Sequence, residues 1–129
     1  MLVPFLRFRL PALAYAVALF WASSRTHLPL PHLGLGFEDK IAHFCAYGIL
    51  AWLVHRALTQ PYPLMTSALT GSGLLSAGYG LSDELHQRAV PGRTFDLWDL
   101  AADLAGIGVV LLYLWWRGTA RSQTSDEKA

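Results

Sequence analysis

Charge is scarce in this chain. Asp, Glu, Lys and Arg make up 15% of its 129 residues, where a soluble domain carries about a quarter. Together with a hydrophobic share of 53%, this excludes an ordinary soluble surface and points to lipid. The net charge is +1 and Lys and Arg form no run, so no basic face exists to neutralise the phosphates of a duplex, and nucleic acid is excluded as a partner. Cysteine is limited to Cys45, which rules out an internal disulfide; within its apolar segment it reads as a small buried side chain. Neither a His-Glu-x-x-His nor a Cys-x-x-Cys spacing occurs, so the sequence declares no zinc motif.

What is present is a series of apolar segments, with predicted spans near residues 3–23, 41–58, 64–82 and 97–116. The first carries Arg7 and Arg9 ahead of its apolar run and ends at Trp21, an interfacial anchor, which favours a retained helix over a cleaved signal peptide. Pro29, Pro31, Gly34 and Gly36 mark a loop in which His27 and His32 read as solvated. The second segment is entered through Glu38, Asp39 and Lys40. Asp39, His43 and Tyr47 recur every four residues and so form one row on a helix.

The third segment is free of charge up to Leu81. Ser72, Ser76 and Gly80 give it the small-residue spacing that lets helices approach closely in lipid, and it reads as the most enclosed helix. A Pro91-Gly92 turn then precedes a fourth helix, capped by Thr94 or Asp96 and stopped at Trp115, Trp116 and Arg117. Residues 118–129 read as a polar, disordered tail outside a membrane domain of residues 1–117. The fold class is therefore all-α, a polytopic four-helix transmembrane bundle.

Four spans place both termini on one side. Arg7, Arg9, Arg56, Arg117, Arg121 and Lys128 then face Arg25, Lys40, Arg88 and Arg93 across the membrane, which puts the termini in the cytoplasm. The acids divide more sharply: all but Asp126 and Glu127 fall on the outer side. Up-and-down threading brings Asp39, His43 and Tyr47, then Tyr79, Asp83, Glu84, His86 and Gln87, then Arg93, Asp96, Asp99 and Asp103 to that outer face, where they can enclose one polar pocket. Asp103 lies inside the apolar run, where an unpaired charge is costly, so it must face protein or water.

These residues resemble the VanZ-like family of small bacterial membrane proteins. The resemblance rests on Asp39-Lys40-x-x-His43-x-x-x-Tyr47, on Asp83-Glu84-x-x-Gln87, and on Pro91-Gly92-Arg93-x-x-Asp96-x-x-Asp99. Members commonly carry Asn followed three residues later by Gly where this chain has Asp103 and Gly106; aspartate keeps the acceptor and loses the amide donor. The resemblance implies a multi-pass protein of the bacterial cytoplasmic membrane with a role in the cell envelope, and leaves the activity open.

Three functions compete. The leading one is binding or transport of a phosphate-bearing lipid or lipid-linked envelope intermediate, with Arg93 on the phosphate, Lys40 and Arg88 as further cations, and Asp99 and Asp103 orienting Arg93. The second is a membrane-embedded enzyme, with Asp39 orienting a His43 base, or with His43, Asp83, Glu84 and His86 on a divalent metal. The third is a structural or assembly role, in which the polar residues only lock the helices together. No particular cofactor, ligand or oligomeric state is specified.

Overall fold

The structure, a computed structural model, describes residues 2–26, 36–61 and 67–126, with residues 120–126 as backbone only. His27, His32 and the expected start of the third span at Leu64 lie outside the described residues.

Four helices make up the described chain: α1 (Leu2–Ser23), α2 (Glu38–Thr59), α3 (Ala68–Gln87) and α4 (Leu97–Asp126). A π-helical turn at Phe5–Arg9 interrupts α1 near its start. Helix α2 begins at Glu38, ahead of the expected boundary at Ile41, because Glu38 and Asp39 favour the positive end of the helix dipole. Helix α4 runs on to Asp126, where a disordered tail is expected from Gly118. Trp115, Trp116 and Arg117 mark where lipid ends, and a helix need not end there, since Ala, Arg and Gln extend it readily in water.

Burial is inverted relative to a soluble protein. Ser72, Ser76, Asp83, Glu84, Gln87, Asp99 and Asp103 are buried, while Leu13, Val17, Trp21, Trp52, Leu74, Leu112, Trp115 and Trp116 point outward. Such an apolar belt around a polar interior is stable only in lipid. Helices α1 and α2, and Leu97–Thr119 of α4, are long and apolar enough to cross a membrane. Helix α3 falls short of that measure, since glycine, serine and its terminal Asp83 and Glu84 dilute its apolar residues.

Helices α2 and α3 each touch the other three, and the widest interface is that of α2 with α4. Helix α3 is the most enclosed of the four, as its composition predicts, with eight buried residues against four in α2, although it turns Leu74, Leu75, Leu81 and Leu85 outward. Its small row is buried as expected, with Gly80 against the Tyr47 ring and an Asp103 oxygen. The apolar centre is Tyr47, Leu50, Ala51 and Ile107. Helix α1 is held to α2 by Tyr15, which donates to the Ala46 carbonyl (3.2 Å), and to α3 by Tyr79, which donates to the Ala16 carbonyl (2.6 Å). Cys45, expected to be buried, is exposed.

Candidate functional site

At one end of the bundle the helices open around a cavity of about 470 Å³. Helix α1 lines it with Leu19, Ala22 and Ser23, α2 with Asp39, Ala42, His43, Ala46 and Tyr47, and α3 with Asp83 and Gln87; Arg93, Asp96 and Asp99 complete the wall. Apolar Leu19, Ala22, Ala42 and Ala46 share its lining with the ionisable Asp39, His43, Asp83, Arg93, Asp96 and Asp99.

The turn that delivers Arg93 follows from its sequence. Val90, Pro91, Gly92 and Arg93 form a type II turn, closed by the Arg93 amide on the Val90 carbonyl (3.1 Å), with Pro91 at the position that wants φ near −65°. Gly92 sits at φ +80°, and a Cβ there would stand 2.9 Å from the Thr26 methyl, so both conformation and space call for glycine. Thr26 also donates to the Pro91 carbonyl (3.2 Å), joining the end of α1 to the turn. Asp96 then caps α4, its side chain accepting from the Trp98 amide (2.8 Å).

Three polar chains meet in the cavity. Arg93 donates through Nε and Nη2 to Gln87 Oε1 (3.2 and 2.6 Å); Gln87 in turn reaches Asp83 Oδ2 (3.4 Å), which also accepts from the Tyr47 hydroxyl (3.0 Å). Lys40 binds Asp39 (2.9 Å), Asp96 (2.7 Å) and Asp99 (2.5 Å). His43 Nδ1 lies 2.9 Å from Asp103 Oδ1, and His43 Nε2 lies 3.8 Å from Asp99 Oδ2. With Asp103 ionised, its carboxylate accepts from Nδ1–H, and Nε2 faces Asp99. Glu84 Oε2 accepts from the Asp96 amide (3.1 Å), tying the end of α3 to the start of α4. The Lys40 ammonium, and after it the Trp98 amide, holds the Asp96 carboxyl below its ordinary value of 3.8.

Most of the expected residues converge, but several partners differ. The acids do not orient Arg93: Asp99 is taken by Lys40 and Asp103 by His43, and Arg93 rests on the neutral Gln87. Asp39 does not orient His43; that place belongs to Asp103, whose acceptor suffices without an amide donor. His86 turns away from the cavity onto Phe20 (ring centroids 4.5 Å apart) and the Ser24 hydroxyl (3.0 Å). Arg88 is exposed and does not line the cavity. Tyr47, placed on the row of Asp39 and His43 by its spacing, lines the cavity and donates to Asp83. One contribution escapes sequence reasoning: the wall supplied by α1, built of Leu19, Ala22 and Ser23, leaves no polar signal.

The residues that make this site are those of the three motifs, and a family model described as VanZ/LLP1 matches residues 1–117. The chain belongs to the VanZ/LLP1 family. The match takes in α1, which supplies one wall of the cavity, as well as α2, α3 and most of α4. No curated protein and no solved structure matches the chain. In this VanZ/LLP1 protein all three motifs contribute side chains to one cavity.

Proposed function

We propose that this VanZ/LLP1 protein is a four-span protein of the bacterial cytoplasmic membrane. Its cavity, at the outer face with both termini in the cytoplasm, binds or transports a phosphate-bearing lipid or lipid-linked envelope intermediate. One contrast carries this reading. Lys40 is held by three aspartates, whereas the Arg93 side chain, fixed by a rigid turn, hydrogen-bonds only to the neutral Gln87 among the described residues. Its charge is uncompensated by any bonded acid, and guanidinium N–H groups remain for an anion whose geometry suits a planar fork. Leu19, Ala22, Ala42 and Ala46 provide the apolar wall that an acyl or prenyl chain needs beside a phosphate.

Native mass spectrometry of detergent-purified protein, wild type beside Arg93→Ala, tests the reading. The wild type is expected to retain a phosphate-bearing lipid that Arg93→Ala loses, with Arg93→Lys intermediate because lysine keeps the charge without the fork. Equal retention by wild type and Arg93→Ala would remove Arg93 from recognition. Retention by neither, with Arg93→Ala only less stable, would make the polar residues scaffolding.

A further inference from the structure

Four acids at the cavity, Asp83, Glu84, Asp99 and Asp103, are each less than a tenth exposed, and they outnumber the cations that touch them. Lys40 meets Asp99, and His43 meets Asp103. Glu84 is fully buried, and its Oε1 has no hydrogen-bond partner among the described residues; Asp83 Oδ1 and Asp103 Oδ2 are left in the same condition. Carboxylate oxygens without donors, in a helical interior surrounded by lipid, are strongly destabilising unless a cation or a proton reaches them.

The geometry points to a divalent cation, Zn²⁺ or Mn²⁺, bound by His43, Glu84 and Asp99. One ligand atom from each lies within 4.8 Å of the others. Ligands around a tetrahedral ion with bonds near 2.1 Å stand about 3.4 Å apart, so modest side-chain rotations close the set on an ion. The surroundings suit this use. His43 directs Nδ1–H at Asp103, as metal-bound histidines direct their second nitrogen at a carboxylate, which fixes the tautomer and frees Nε2. Asp99 gives one oxygen to Lys40 and keeps the other on the His43 Nε2 side. Glu84 is anchored through Oε2 on the Asp96 amide, leaving Oε1. One imidazole and two carboxylates form a mixed nitrogen and oxygen set that suits Zn²⁺ and Mn²⁺ better than a softer ion. His43 and Asp99 line the cavity that Arg93 also lines, so two of the three ligands border the compartment of the proposed phosphate. The metal thus deepens the phosphate-lipid reading and rests on it for its ligand: a phosphate oxygen can complete its shell while Arg93 takes another.

The test uses full-length protein purified without a polyhistidine tag, stripped with chelator, placed in nanodiscs of zwitterionic lipid and dialysed against Zn²⁺ or Mn²⁺. Elemental analysis is expected to return one ion per chain, with Mn²⁺ also seen as a broadened paramagnetic resonance. Glu84→Gln and Asp99→Asn, each checked for an unchanged helical spectrum and monodisperse elution, should lose the ion. Asp103→Asn should weaken affinity by about 10- to 100-fold, the loss expected when a histidine's supporting carboxylate is altered. His86→Ala should bind as the wild type does. A wild type that takes up no ion, or a folded Glu84→Gln that binds as tightly as the wild type, overturns the site, and Glu84 is then a buried neutral acid. Lipid retention measured in parallel separates the two readings. Metal without phosphate lipid leaves the site standing and removes the lipid reading, while phosphate lipid on a protein that takes up no ion does the reverse.

Discussion

Lys40 and Arg93 approach the same cavity and do different work. Lysine's compact ammonium gathers Asp39, Asp96 and Asp99 from two helices and the turn between α3 and α4, whereas arginine's fork is steadied by an amide oxygen and keeps its charge. The carboxylate that reports on the lysine is Asp96, ahead of the membrane-spanning part of α4. Its pKa is depressed by Lys40, so the pair stabilises the folded chain above the ordinary carboxylate range, and that contribution fades as pH falls through the depressed value. In a carboxyl-detected NMR titration, Asp96 is expected to titrate below 3.8 in the wild type and to move back up in Lys40→Met. An Asp96 midpoint unmoved by Lys40→Met would mean that the Trp98 amide, and not the ammonium, sets it. The spacing of Asp39, Lys40 and His43 places these side chains near one another, yet it cannot say which acid each cation takes. Lys40 meets three carboxylates and Arg93 bonds to none, a choice settled by inter-helix distances that no single segment encodes.

The helices themselves were largely legible, since each apolar run of about 20 residues has few alternatives to a helix in lipid. Their crossings were less so. Helix α2 meets α4 at Gly48 and Gly106, where a Cβ on Gly106 would overlap the Phe44 carbonyl and one on Gly48 would stand 3.3 Å from the Gly106 carbonyl. The motif pairs Asp103 with Gly106, and the crossing gives a reason: the glycine lets the backbones close until His43 reaches Asp103. Gly106→Ala is therefore expected to destabilise the bundle by about 1–3 kcal/mol or more. Gly108→Ala, whose Cβ would meet nothing within 4 Å, should be neutral or slightly stabilising. Denaturant unfolding in mixed micelles measures both, and equal effects would deny the close crossing. Cys45 illustrates the opposite failure. In a soluble protein an apolar neighbourhood implies burial, but around a membrane helix it describes the lipid-facing side equally well, so hydrophobicity alone could not place this residue.

Among the described residues, the acids other than Asp126 gather at the end where Ser24, Arg93 and Asp96 lie, while Arg7 and Arg56 flank Phe8 at the other end of the bundle (5.4 and 5.2 Å from its ring), with Arg117 at the end of α4's apolar run. This polarity supports an outward-facing cavity only if α3 crosses the membrane, and α3 is the helix whose composition falls short. Two positions decide both points. Gln60 follows α2 and Ala89 follows α3, and both are exposed. In a Cys45→Ala background, a membrane-impermeant maleimide applied to intact cells is expected to label Ala89→Cys and to leave Gln60→Cys unlabelled until the membrane is permeabilised. The reverse pattern would keep four spans and turn the cavity to the cytoplasm, where an outer-leaflet ligand has no access. Labelling of both from outside, or of neither, would place the two ends of α3 on one side. The polar rows would then meet on a re-entrant helix, which is tolerated at membrane depth only where protein or water covers it. The buried face of α3 would still be covered by α2 and α4, but outward-facing Leu74 and Leu75 would need a second contact to shield them, so the labelling pattern also decides whether lipid is their environment.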